Sequence, residues 1–294
     1  MDKPAISVVV PAYNEEQYIS SCLAAIRNQD FRGSYEIIVV DNSSEDRTAE
    51  IARSFGARVL TETRRTAAAA RRRGFAEARG DIIATTDADT LVPTNWLSHI
   101  HRAFQATPGL VAFGGLHNSL NDCPILPRLA VKYGMAPIWT IYGLFIGHMP
   151  LFGVNMAVKR EAYLAVGGFN PVVTQGEDAD ISLRLLEHGL VVLDSHFKVA
   201  TSGRRFRRGL FPGVLSYLPY DFRGEWRVGR LLLIPSSGNG FGSGGGPMAF
   251  AQTAVAVARI IRGLSRERET LLRVREGDDV PPWMRRGESK GKTA

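Results

Sequence analysis

Short apolar runs alternate with segments of helical spacing through residues 1–115, and this alternation constrains the fold more than any other feature of the chain. Continuous apolar runs are typical of strands that are buried on both faces. Strands that alternate with helices predict an α/β domain with a doubly wound, mostly parallel sheet. The predicted strands lie at 6–10, 37–40, 58–60, 82–86 and 110–113, and the predicted helices at 15–28, 48–55, 66–78 and 96–104.

The pattern loosens beyond Gly115, where we expect helices at 160–166 and 179–188 and a strand at 190–193. Six glycines between residues 238 and 246 predict a flexible loop, and the apolar residues 248–261 predict a C-terminal helix after it. We therefore divide the chain into three parts, at residues 1–115, 116–235 and 236–294.

Acidic and aromatic residues follow three of the predicted strands. Pro11, Tyr13 and Glu15 follow the first strand, Asp41 ends the second, and Asp87 and Asp89 follow the fourth. Ligands of open α/β sheets bind at the carboxyl ends of the strands, so these side chains are candidate ligand contacts. Two carboxylates spaced i, i+2 can share a hard cation such as Mg²⁺ or Mn²⁺. Any one of these acids alone also fits a helix cap or a turn.

The turn after the first strand lacks the Gly-x-Gly-x-x-Gly pattern, which disfavours a dinucleotide-dependent oxidoreductase. The aromatic ring and carboxylates at that turn instead suit stacking on a base and hydrogen bonding to ribose hydroxyls.

Five motifs in order resemble those of the family 2 glycosyltransferases, which have the GT-A fold. They are Val8-Val9-Val10-Pro11-Ala12-Tyr13-Asn14-Glu15-Glu16, Val40-Asp41-Asn42-Ser43-Ser44, Asp87-Ala88-Asp89, Gly167-Gly168-Phe169 and Gly176-Glu177-Asp178-Ala179-Asp180-Ile181-Ser182-Leu183-Arg184. The resemblance implies metal-dependent, inverting transfer of a sugar from a UDP- or GDP-sugar. The family's processive polymerases carry Gln-x-x-Arg-Trp, whereas this chain has only Gly224-Glu225-Trp226-Arg227, so we expect transfer of a single sugar.

The resemblance also assigns a role to each candidate residue and to each part of the chain. Residues 1–115 would bind the nucleotide sugar, and residues 116–235 would supply the acceptor side and the catalytic motif. Pro11, Tyr13 and Glu15 would line the nucleotide pocket, Asp41 would hold the base, Arg71 would face the diphosphate, Asp87 would hold the ribose or sugar, Asp89 would ligate Mn²⁺ or Mg²⁺, Glu177 would contact the donor, and Asp178 would be the catalytic base.

Two of these assignments have structural alternatives. Arg71 lies in Ala70-Arg71-Arg72-Arg73-Gly74, where the family element has asparagine in place of Arg72, and such a basic run also fits a solvated helix face. Glu177 and Asp178 precede a predicted helix, where acidic residues are favourable without any catalytic role.

The chain carries a formal net charge of +7, and 30 of its 36 cationic residues are arginine. This balance permits anionic membranes, nucleic acids or phosphorylated substrates as partners. Arg204 and Arg205 lie in a predicted loop that either closes over the diphosphate or an anionic acceptor, or is simply solvated. The apolar residues 124–153 and 210–234 fit either a core or a surface for a lipid-linked acceptor.

We expect a saccharide or lipid-linked acceptor of the cell envelope and no nucleic-acid partner. The N-terminus has no apolar stretch long enough for a secretory signal, and no window reads as a membrane span. We therefore predict a cytoplasmic protein that contacts the inner face of the cell membrane peripherally.

Three other functions remain open at this point. The segment Ile82–Leu91 also resembles the first motif of haloacid-dehalogenase-like phosphatases, in which the first aspartate is the nucleophile, although that motif normally lies near the N-terminus. A non-catalytic nucleotide-sugar-binding module would share the same fold. A nucleotidyltransferase would need a glycine-rich, lysine-bearing first turn, which this chain lacks.

Overall fold

The computed structural model describes residues 3–119, 123–126, 129, 150–173 and 176–207. A sheet of eight strands forms its centre, in the spatial order β3-β2-β1-β4-β7-β6-β8-β5. The strands are β1 (Ile6–Ala12), β2 (Tyr35–Asp41), β3 (Arg58–Thr61), β4 (Ile82–Thr85), β5 (Thr90–Leu91), β6 (Leu110–Ser119), β7 (Met156–Lys159) and β8 (Leu190–Thr201). The helices are α1 (Ile19–Arg27), α2 (Thr48–Ser54), α3 (Ala67–Glu77), α4 (Trp96–Ala106), α5 (Arg160–Ala165) and α6 (Glu177–Leu185), and a 3₁₀ turn covers Arg204–Phe206.

The prediction of a mostly parallel α/β sheet is confirmed. The strands β1, β2, β3 and β4 pair in parallel, and so do β6 and β8. Two short strands run the other way, because β7 is antiparallel to both β4 and β6, and β5 is antiparallel to β8. The parallel strands therefore present their carboxyl ends at one edge of the sheet.

Helix α3 lies directly on the buried sheet because a glycine faces the strands. A Cβ atom at Gly74 would lie 2.3 Å from Cγ1 of Val9 and 2.9 Å from Cγ2 of Val40. The helix begins where the hydroxyl of Thr66 accepts a hydrogen bond from the backbone N–H of Ala69, which satisfies one donor of its first turn. This close packing fixes the direction in which Arg71, on the same helix, leaves the sheet.

Strands β6 and β8 extend beyond the predicted 110–113 and 190–193 and pair through to Ser119 and Thr201. A register shift between Gly115 and Leu116 brings the two backbones together. A Cβ atom at Gly115 would lie 1.8 Å from the carbonyl oxygen of Phe197, so only glycine fits there. The extended pair brings the end of β8 to the same edge as the ends of β1 and β4.

None of the helices in the described ranges is both long enough and apolar enough to cross a membrane. Most of the apolar segment 124–153 and the predicted features at 210–234, 238–246 and 248–261 lie outside the described residues.

Substitution of Gly115 by alanine should lower the free energy of unfolding by about 3 kcal/mol, because the added methyl group collides with backbone that cannot rotate away. Urea unfolding followed by circular dichroism measures the change. Gly33→Ala is the control, since Gly33 is exposed and its Cβ atom would meet only the ring of Phe31, which can turn aside. Equal effects of the two substitutions would contradict the close approach of β6 and β8.

Candidate active site

The carboxyl edge of the sheet carries five of the predicted acidic residues in two connected clusters. The first cluster contains Arg71, Asp87 and Glu177. Asp178 is the next residue in the chain after Glu177. The second cluster contains Glu15, Asp89 and Arg204. Asp87 and Asp89 join the clusters, because both lie on the short turn between β4 and β5. Residues that are far apart in sequence thus meet at the edge that the strand pattern predicts.

Arg71 is the buried centre of the first cluster. Its Nη1 atom donates a hydrogen bond to Oε1 of Glu177, and its Nη2 atom lies 2.5 Å from Oδ1 of Asp87. The Arg71 and Glu177 side chains are only 8% and 6% exposed. Burial raises the pKa of the Glu177 carboxyl, and the Arg71 guanidinium opposes this shift. Each of the two buried charges offsets the energetic cost of burying the other, so both must be present together.

Gly153 connects this cluster to Asp178. A Cβ atom at Gly153 would lie 2.6 Å from Cζ of Arg71, so the absence of a side chain leaves room for the guanidinium. The backbone N–H of Gly153 donates to Oδ2 of Asp178 at 2.9 Å. The other carboxylate oxygen of Asp178 accepts from the N–H of Ala179 at 2.9 Å. One glycine therefore makes room for Arg71 and also orients the predicted base.

The three acids at the start of α6 have different surroundings. Glu177 pairs with Arg71, and Asp180 pairs with Arg184 at 2.6 Å on the same helix. Asp178 forms no ion pair within the described part of the chain and is only partly buried. Of the three, Asp178 is the carboxylate whose oxygens are held by backbone donors and not by a cation.

The second cluster is built around the guanidinium of Arg204. Its Nη1 atom donates to Oε2 of Glu15 at 2.7 Å and its Nη2 atom donates to Oε1 at 2.5 Å, which is a bidentate pair. The same Nη2 atom lies 3.3 Å from Oδ2 of Asp89. Burial and the Asp87 carboxylate raise the pKa of Asp89 to about 6, and Arg204 opposes the shift.

The loops after β1 and β2 form the predicted nucleotide side of the site. Asn14 adopts φ 54°, its N–H donates to Oγ of Ser44, and its Oδ1 atom accepts from the N–H of Glu45. Tyr13 is 41% exposed, with the guanidinium of Arg65 5.2 Å from its ring centroid. These contacts hold the two loops together and leave the tyrosine ring accessible.

Asp41, at the end of β2, has a buried acceptor atom to which no described residue donates. The residue is 7% exposed, and its Oδ2 atom accepts from the N–H of Ser44 at 3.4 Å. Its Oδ1 atom has no hydrogen-bond partner among the described residues. A buried carboxylate oxygen without a donor is rare, and a ligand N–H group would satisfy it. Pro11, one residue before the end of β1, pairs with Val40 in the neighbouring strand.

The described residues contain no group of three or more His, Cys, Asp or Glu side chains arranged to hold a metal ion. Asp89, with Asp87 nearby, still offers the hard oxygen ligands that Mg²⁺ and Mn²⁺ prefer. Such ions are commonly held by one or two carboxylates together with substrate phosphates. The donor set therefore fits a divalent cation that arrives with a diphosphate.

Sequence reasoning missed Gly153, Thr201 and Tyr18 as parts of this site. Thr201 donates from Oγ1 to Oδ1 of Asp89 at 3.2 Å, and the Tyr18 ring centroid lies 5.2 Å from Cζ of Arg204. Gly153 lies in an irregular apolar segment that carries no local signal. The side chain of Arg205 lies outside the described part of the structure.

Comparison with known proteins shows which family and which fold this chain is similar to. The family model of Glycosyl transferase family 2 matches residues 7–136, and that of Glycosyl transferase family group 2 matches residues 82–208. Glycosyltransferase AglE of Haloferax volcanii is 37% identical over 200 residues, which are 66% of this chain and 65% of AglE. This chain thus spans slightly less than two thirds of that relative.

Two solved structures share the fold. S. aureus TarS 1-349 in complex with UDP has a TM-score of 0.53 and 16% identity, covering 67% of this chain and 60% of TarS. The mannosyltransferase PcManGT of Pyrobaculum calidifontis, solved with GDP-Man and Mn²⁺, has a TM-score of 0.51 and 21% identity, covering 96% of this chain and 78% of that one. At these identities the likeness shows the GT-A fold and nothing more specific.

Replacing Arg71 by methionine should cost about 3–5 kcal/mol of folding free energy, because Glu177 would stay buried without its cation. Arg73→Met on the same helix is the matched control, since Arg73 is 48% exposed and lies 3.4 Å from Glu77. We expect that control to change stability by less than about 0.5 kcal/mol. Urea unfolding measures both variants, and Arg71→Met/Glu177→Gln should recover part of the loss. A cost no larger than that of the control would show that the pair is not buried as described.

Proposed function

The chain belongs to glycosyltransferase family 2, and from this premise we propose that it transfers a single sugar from a nucleotide-diphosphate sugar to an acceptor hydroxyl. The observation that carries the proposal is the meeting of Glu15, Asp89 and Arg204 beside the Arg71–Asp87–Glu177 cluster. Asp178 lies next to Glu177 and forms no ion pair with the residues that the structure describes. This arrangement provides a donor side and a base at one edge of the sheet.

The donor side would bind the nucleotide through the loops after β1 and β2. The accessible ring of Tyr13 offers a stacking face for a base. The unpartnered Oδ1 atom of Asp41 would accept from a base N–H, which both uracil and guanine possess. TarS has been solved with UDP and PcManGT with GDP-Man, so both nucleotides stay within the proposal.

The charge of the edge supports a divalent cation in the reaction. Two guanidinium groups, of Arg71 and Arg204, face the carboxylates of Glu15, Asp87, Asp89, Glu177 and the nearby Asp178. An anionic diphosphate would be repelled by this surplus of negative charge unless a cation accompanied it. Asp89 would hold Mn²⁺ or Mg²⁺, which would neutralise the charge that develops on the leaving diphosphate.

Asp178 would accept the proton of the acceptor hydroxyl. Backbone N–H groups of Gly153 and Ala179 fix the direction of its two oxygens and leave lone pairs on both for a substrate proton. An activated hydroxyl oxygen would attack the anomeric carbon from the face opposite the diphosphate, and the bond to the diphosphate oxygen would break. Inversion of the anomeric configuration is the expected result of this single displacement.

We also propose that the acceptor is a saccharide or a lipid-linked molecule, and that the protein contacts an anionic membrane peripherally. The apolar segments that would contact such an acceptor lie mostly outside the described residues. Among the residues that the structure describes, Arg204 and Arg207 are cations of the predicted basic loop.

A haloacid-dehalogenase-like reaction is disfavoured, because Asp87 as a nucleophile would need a free carboxylate and here accepts from Arg71.

Asp89→Asn should weaken the metal-dependent gain in thermal stability produced by UDP or GDP and reduce sugar transfer by at least about a hundredfold. Bound ligand raises the unfolding midpoint by mass action, so a midpoint scan with UDP- and GDP-sugars, with Mn²⁺ or EDTA, measures donor binding directly. Asp81→Asn is the control, because Asp81 is exposed and pairs only with Lys3. Full activity of the unsubstituted protein in excess EDTA would exclude the metal role.

Asp178→Asn should retain donor binding and lose transfer by roughly 10²–10⁴-fold, because asparagine cannot accept the hydroxyl proton. Release of UDP or GDP from the bound donor measures turnover, with water and with a panel of simple saccharides as acceptors. Asp180→Asn is the matched control on the same helix, since Asp180 contacts Arg184 and not the edge of the sheet. If Asp178→Asn abolishes donor binding and leaves turnover per bound donor unchanged, Asp178 binds the donor and is not the base.

A further inference from the structure

We propose that Arg204 is an exchangeable counter-ion: its guanidinium, which contacts Glu15 and Asp89 in this structure, gives up Asp89 to a divalent cation and then binds the diphosphate that arrives with the cation. This inference rests on the proposed function, but it adds a separate statement about how the metal competes with Arg204. It would make the metal and the nucleotide bind together and not singly.

The contacts of Arg204 are those of a cation placed between two acids. The guanidinium forms a bidentate pair with Glu15 and lies 3.3 Å from Oδ2 of Asp89. The side chains of Glu15 and Asp89 are only 10% and 13% exposed. Carboxylates with so little access to water need a nearby positive charge, and Arg204 is the cation that supplies it within the described residues.

The Arg204 side chain can leave without unfolding its surroundings. The backbone next to it is fixed, because the N–H of Ser202 donates to the carbonyl oxygen of Asp89 and the N–H of Arg204 donates to Oγ of Ser202. The side chain itself is 36% exposed, whereas Arg71 in the first cluster is 8% exposed. The fixed backbone keeps the guanidinium close to the carboxyl edge of the sheet. The solvent-exposed part of the Arg204 side chain leaves room for the guanidinium to move.

A divalent cation at Asp89 and the Arg204 guanidinium would repel each other. Two positive charges that lie a few ångströms apart on one carboxylate repel each other strongly when little water lies between them. Metal binding therefore requires Arg204 to release Asp89, and the diphosphate offers the displaced guanidinium a new anionic partner of matching geometry. The equilibrium should favour the metal only when the nucleotide is present.

Titration of Mn²⁺ followed by the electron paramagnetic resonance signal of the free ion tests the exchange without any sugar transfer. In the absence of nucleotide, Arg204→Ala should bind Mn²⁺ about tenfold or more tightly than the unsubstituted protein, because the competing cation is gone. Arg204→Gln is a second variant of similar size, and Arg204→Lys should resemble the unsubstituted protein because it keeps the charge. Arg207→Ala is the matched control, since Arg207 donates to the hydroxyl of Tyr18 and not to either acid.

Addition of UDP or GDP completes the test. The nucleotide should tighten Mn²⁺ binding strongly in the unsubstituted protein and much less in Arg204→Ala, since coupling between two ligands is reciprocal and here passes through the arginine. Equal Mn²⁺ affinity of Arg204→Ala, Arg204→Gln and the unsubstituted protein without nucleotide would overturn the exchange and leave the proposed function intact. If neither nucleotide changes Mn²⁺ binding in any of these proteins, the donor site of the proposed function fails, and the nucleotide half of this inference fails with it.

Discussion

The buried pair between Arg71 and Glu177 is the interaction on which the arrangement of the site depends. Arg71 belongs to a helix of the first half of the chain, and Glu177 begins a helix that lies more than a hundred residues later. Because neither charge is tolerated alone at this depth, the pair fixes where α6 begins relative to β4. Asp178, the next residue, therefore occupies a defined position next to a residue that Arg71 holds in place. A buried ion pair thus joins the two parts of the chain that carry the candidate residues.

The strand and helix pattern predicted most of the first half of the fold, and the structure confirms a mostly parallel sheet. The strands that the sequence did not predict are β5, with two residues, and β7, with four. The two residues of β5 are too few to show a periodicity. Strand β7 follows an irregular segment and forms because β4 and β6 pair with it from both sides. The full length of β6 and β8 could not be predicted from the sequence either, because it depends on Gly115, which lets the two backbones approach each other.

The acids of the site were predicted because strand ends converge and because their order resembles a known family, whereas the ion pairs that they form with Arg71 and Arg204 were not. Arg71 was predicted to face a diphosphate, and in the structure its guanidinium donates to two carboxylates. Gly153 gave no signal, since its importance comes from the space it leaves for a side chain 82 positions earlier in the sequence. Contacts of this kind depend on the packing of the whole domain, and no local pattern encodes them. The roles assigned to the individual residues stay predictions until substitution tests them.

The two arginines of the site differ in a way that follows from where the fold places them. Arg71 projects from a helix that is packed on the sheet, is almost fully buried, and has two acids that are also held in place. Arg204 projects from a short turn at the end of β8 and remains partly exposed. In the proposed function a divalent cation and an anionic diphosphate bind together, and such binding would need one positive charge that stays in place and one that can move. The placement of Arg71 on a packed helix and of Arg204 on a partly exposed turn fits that need.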